Sequence, residues 1–92
     1  MKDQRKLLNS CIKNDIPAVV FQGTDSCALE ILRAAKEIYA KSGCSKEFLF
    51  DWQLLINEFS GYQQENVADV KLAKLSTGEL EDIKTVMDLD SF

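Results

Sequence analysis

Residues 16–32 read IPAVVFQGTDSCALEIL, and whether their first half pairs with another strand decides the fold. Val19, Val20 and Phe21 form a short β-branched and aromatic run of the kind that suits a pleated surface. Pro17 biases Ile16 away from helical angles and so stops any helix before it. Nothing else in the chain offers a second strand, and an unpaired strand leaves its backbone N–H and C=O groups without partners. The run therefore reads as one extended segment, residues 16–23, that either pairs across a second copy or lies as extended coil. Gly23 then turns the chain. Thr24, Asp25 or Ser26 caps the following helix by accepting from the free N–H groups of its first turn.

Outward from this stretch the pattern is helical. Within residues 1–15, Leu7, Leu8, Cys11 and Ile12 fall on one face. Residues 25–42 carry Ala28, Ile31, Leu32, Ala35, Ile38 and Tyr39 at helical spacing, opposite Arg33, Glu37 and Lys41. Gly43 stands where a left-handed C-cap belongs, and Ser45 caps the next helix, residues 45–66. The short turn between them makes these two helices antiparallel neighbours. In the second, Phe48, Trp52, Leu55, Ile56, Phe59 and Tyr62 form the main stripe. With few basic residues among them, they read as core rather than as a base-stacking platform. Phe50 and Leu54, one turn apart, lie outside that stripe as a second apolar edge, and Gly61 is a candidate stop or bend.

Residues 67–75, VADVKLAKL, show no clean period and read as loop or extended chain. Ser76 and Glu79 then form a capping box for a last helix, residues 76–89, carrying Leu80, Ile83, Val86 and Met87. The expectation is one mostly α domain, residues 1–92. It is a small three- to four-helix bundle with one short extended segment before the second helix.

Composition bounds what such a chain does. Hydrophobic residues are 46% and charged residues 28%, ordinary for a globular domain. No apolar run approaches the ~20 residues that span a bilayer. The opening MKDQRKLLNSCIKND is too charged for a secretory signal. The expected location is the cytoplasm, with no membrane partner. A net charge of -4 disfavours nucleic-acid binding, which rests on neutralising phosphates. The charge is segregated, with Lys2, Arg5, Lys6 and Lys13 near one end and Glu79, Glu81, Asp82, Asp88 and Asp90 near the other. Such an arrangement either brings one end of a chain to the other end of a neighbour or is two solvated helix faces.

The absence of histidine removes histidine-based serine triads and histidine-activated cysteines. Glu47 and Asp51 share a helical face, but a metal site needs further ligands converging from another helix. No catalytic residue, metal or cofactor is expected. Cys11, Cys27 and Cys44 are too far apart for a zinc knuckle or redox pair and read as cytosolic thiols.

Two candidate sites remain. The first is an interaction surface made by Val19, Val20 and Phe21 of the unpaired run together with Phe50 and Leu54, the latter pair able to line a peptide groove. The second is the loop Gly23, Thr24, Asp25, Ser26 and Cys27, where a helix start would hold an anion or small molecule and lower the Cys27 thiol. Against it, the loop has a lone glycine, Asp25 repels a phosphate, and a free cysteine usually packs as a small apolar residue. The reading that follows is a small cytosolic protein-interaction or self-association module without catalytic activity, homo-oligomeric or docked on a protein partner. The alternatives are an anion or small-molecule binder at Gly23–Cys27, and a dimeric nucleic-acid-associated regulator using the basic first helix as an arm.

Two pieces, IPAVVFQGTDSCALEIL and WQLLINEFSGYQQEN, together resemble small uncharacterised proteins of phages and bacterial mobile elements. Those proteins join an apolar run, an aspartate and a helix to a later helix ending in an aromatic-Gln-polar pattern, here GYQQEN. The resemblance covers residues 16–66. It implies a bacterial or phage setting and a small helical fold, and it transfers no catalytic residue.

Overall fold

Gly43 sets the architecture. In the computed structural model, which describes residues 1–90, it lies at φ 88° between helix α2 (Ala28–Lys41) and helix α3 (Lys46–Glu65). The Gly43 N–H donates to the Ala40 carbonyl at 3.2 Å and the Cys44 N–H to the Tyr39 carbonyl at 3.1 Å. These are the paired bonds of a Schellman stop, which needs a left-handed residue at this position. Ser45 Oγ accepts from the Phe48 N–H at 3.1 Å and so caps α3. With both ends of the turn satisfied, α2 and α3 pack as an antiparallel hairpin.

The first helix, α1 (Gln4–Lys13), is capped by Asp3, whose carboxylate accepts from the Lys6 N–H at 3.0 Å. It ends in the same kind of stop, with the Ile16 N–H on the Cys11 carbonyl at 2.9 Å and Asp15 at φ 52°. An aspartate replaces the usual glycine there, and Pro17 prevents any continuation. The last helix, α4 (Thr77–Asp90), opens on the expected capping box. The Ser76 N–H donates to Glu79 Oε1 at 3.0 Å, and the Glu79 N–H to Ser76 Oγ at 3.4 Å.

The chain is mostly helical, with no strand among the described residues. Val19, Val20 and Phe21 enter no ladder, because no other segment is available to pair with them. The one β-type pairing among the described residues is an isolated parallel bridge between Asp25 and Lys71, beyond a single 3₁₀ turn at Val67–Asp69. Two boundaries differ from expectation. Helix α2 begins at Ala28 rather than residue 25, because Asp25 accepts the Cys27 N–H on its carboxylate and the Ala28 N–H on its carbonyl, holding residues 25–28 in a turn. Helix α3 runs through Gly61, whose exposed position costs about 1 kcal/mol relative to alanine but does not break the helix.

The close-packed part is the seam between α2 and α3. The Tyr39 ring meets Phe48 at 4.9 Å and Trp52 at 5.1 Å, both edge-on, a geometry that adds about 0.5–1.5 kcal/mol per pair beyond area burial. Trp52 Nε1 donates to the Leu32 carbonyl at 2.7 Å. Among the described residues only Ala28, Leu32 and Ile56 are buried. The expected core stripe of α3 is thus a correction: Phe48, Trp52, Leu55 and Phe59 are half-buried and Tyr62 is exposed, since α2 covers only one side of them.

The outer helices stand away from this seam. No Cα of α1 or α4 lies within 8 Å of another helix among the described residues. The radius of gyration is 16.4 Å, against about 12 Å for a close-packed chain of this length. The accessible surface is 7622 Å², where a folded monomer of this mass exposes about 5,400 Å². No helix among the described residues is long and apolar enough to cross a membrane.

Two measurements check these contacts. Trp52→Phe removes the bond to the Leu32 carbonyl and should lower stability by about 1 kcal/mol in urea unfolding. The Ser76 hydroxyl, and then its N–H, hold the Glu79 carboxyl below its ordinary value of 4.5. A carboxyl lowered on folding stabilises fully above that value and loses its contribution as pH falls through the lower folded one. Far-UV circular dichroism below pH 4.5 should therefore show a loss of helix in the native chain that is smaller in Glu79→Gln.

Candidate functional site

The loop at Gly23 meets the far end of α3. Gln63 Nε2 donates to the Gly23 carbonyl at 3.1 Å and to the Asp25 carbonyl at 2.9 Å. A Cβ on Gly23 would stand 2.8 Å from Tyr62 Cδ1, so the absent side chain is what lets the loop approach the ring. The Ser26 N–H donates to the Lys71 carbonyl at 2.8 Å, and the Lys71 N–H to the Thr24 carbonyl at 2.9 Å. The two stretches IPAVVFQGTDSCALEIL and GYQQEN, remote in sequence, thus form one joint.

This geometry bears on the candidate anion loop of Gly23, Thr24, Asp25, Ser26 and Cys27. Three of the loop's N–H groups are bonded within the chain: Asp25 to the Gln22 carbonyl, Ser26 to Lys71, and Cys27 to Asp25 Oδ1 at 2.9 Å. The Asp25 carboxylate sits at the mouth of the helix, where a bound anion would meet it. Cys27 is the residue before α2 rather than part of its first turn, and it is exposed rather than packed as a small apolar group.

The larger feature is an open cleft of about 760 Å³ between α1, residues 18–21, α2 and α3. Leu7, Leu8 and Cys11 form one wall. Val19, Val20 and Phe21 form the second, and Ile31, Leu32 and Ala35 of α2 the third. Trp52, Leu55, Phe59 and Tyr62 of α3 complete the lining. The α1 wall is tied at its start, where the Lys2 N–H donates to Asp51 Oδ1 at 2.9 Å and the Lys2 ammonium sits 6.0 Å from the Phe48 ring centre. Asp51 is therefore engaged with the N-terminal segment. No cluster of side chains able to hold a metal is present among the described residues.

The candidate interaction surface divides in two. Val19, Val20 and Phe21 line the cleft, whereas Phe50 and Leu54 do not. At about 100° per residue they fall on the side of α3 turned away from the buried Ile56. Phe50 is 69% exposed. Sequence reasoning missed the cleft, because it took the α3 stripe as a filled core. It also missed Gln63, for which the quoted GYQQEN pattern was the available signal.

No protein-family model, curated protein or solved structure matches the chain.

Gly23→Ala should cost about 1–3 kcal/mol through overpacking against Tyr62, measured by thermal or urea unfolding. Most of that cost should vanish when Tyr62→Ala is present as well, which identifies the ring rather than the backbone as its source.

Proposed function

We propose that the chain is a small cytoplasmic protein-interaction module, without catalytic activity, that works by self-association. The observation that carries this reading is the mismatch between apolar patterning and burial. Among the described residues Ala28, Leu32 and Ile56 are the buried ones, while Leu80, Ile83, Val86 and Met87 of α4 and the Val19–Phe21 run are open to solvent.

Physical chemistry supplies the link to association. Isolated helices shorter than about 12–15 residues are marginal in water. Helix α1 has 10 residues and α4 has 14, and neither packs closely on another helix among the described residues. Their amphipathic faces need a surface to lie on, and a second chain provides one. The bonded N–H groups of the Gly23 loop leave an anion-binding reading weaker support.

Light scattering after size exclusion, at two concentrations, tests the reading. The expected mass is twice the 10.4 kDa of the chain or more, with a melting temperature that rises with concentration. A mass of 10.4 kDa at both concentrations with a constant melting temperature removes self-association.

A further inference from the structure

We propose that α4 of one copy seats its Leu80, Ile83 and Met87 face in the cleft of a second copy and receives that copy's α4 in return. The proposal rests on the self-association reading and names its interface.

The dimensions agree. Leu80, Ile83 and Met87 fall on one side of α4 and extend over about 10 Å of helix, at 1.5 Å per residue. The α3 wall of the cleft, Trp52 to Tyr62, extends over about 15 Å by the same rise. All three α4 side chains are at least 41% exposed, and the cleft lining is mainly apolar. A helix laid by its apolar face into such a groove is a recurrent mode of recognition.

The charges agree as well. Helix α1, the outer wall, carries Arg5, Lys6 and Lys13 and no carboxylate, with Arg5 on the lining. Helix α4 carries Glu79, Glu81, Asp82, Asp88 and Asp90 against Lys84 alone. Glu58 is the one carboxylate on the cleft lining among the described residues, and Lys84 is the one cation on the helix proposed to enter it. Opposite signs brought together in this way select the partner and orient it.

The area agrees too. Each chain exposes about 2,200 Å² more than a close-packed monomer of its mass. Covered on both copies, that excess falls within the roughly 2,000–5,000 Å² buried by obligate dimers. Reciprocal exchange about a two-fold axis satisfies both clefts and both helices and leaves no open end for further growth.

Cys11 on the cleft lining supplies the test. In the full chain with Cys27→Ser and Cys44→Ser, either Ile83→Cys or Met87→Cys is added and the thiols are oxidised. The expected product is a covalent dimer on a non-reducing gel, absent with Thr85→Cys on the outer side of α4. Ile83→Glu should weaken the dimer about ten- to a hundredfold, as expected for one large apolar side chain lost from an interface. Phe50→Glu with Leu54→Glu should leave it intact. A dimer that forms without these cross-links, or that dissolves through Phe50 and Leu54, overturns the exchange and leaves self-association standing. Cross-links confined to monomers show α4 closing on its own cleft and overturn the exchange. A monomer without cross-links overturns both readings.

Discussion

Two helices in contact share one seam, and that constraint governs the rest of this chain. The seam between α2 and α3 is closed by the Gly43 stop, the Tyr39 ring and the bond from Trp52 to the Leu32 carbonyl. It buries Ala28, Leu32 and Ile56. Each remaining face of α3 looks outward, one into the cleft and one past Phe50. A third layer would have to cover them, and among the described residues α1 only walls the cleft while α4 packs on no other helix. The apolar content of the sequence therefore exceeds what its own packing uses.

The joint at Gly23 decides how the two outer segments leave the hairpin. Gln63 holds the carbonyls of Gly23 and Asp25, and residues 24–26 in turn hold Lys71. The segment leading back to α1 and the segment leading on to α4 thus depart from the same end of α3. Their positions are coupled where they meet, through the hydrogen bonds of residues 24–26 with Lys71 and the close approach of Gly23 to the Tyr62 ring. This is a mechanical role for a loop whose composition resembles the start of a ligand site, and the N–H groups of Asp25, Ser26 and Cys27 are bonded within the chain.

Local rules were legible in the sequence where a few neighbouring residues decide the outcome. Ser45, Gly43 and the Ser76–Glu79 pair act where expected, because caps and stops depend on positions within one turn. The mostly α character followed from periodicity and from the lack of any partner for Val19–Phe21. The start of α2 was less legible, since Asp25 had two possible uses and the bond to the Cys27 N–H prevailed. Burial was least legible. The Phe48–Tyr62 stripe marks a face that seeks cover, but periodicity carries no information about whether the same chain supplies it. The role of Gln63 depends on carbonyls 38 and 40 residues away, beyond any local pattern.

That separation also orders events during synthesis. The α2–α3 seam is made of contacts close in sequence, which form early and fast. The joint needs Gln63 and Lys71, and at about 5–20 residues per second Gln63 follows Gly23 by about 2–8 s. Through that interval the Gly23 and Asp25 carbonyls are without Gln63 as a partner. Closure of the Gly23 joint therefore waits on residues made well after the loop itself.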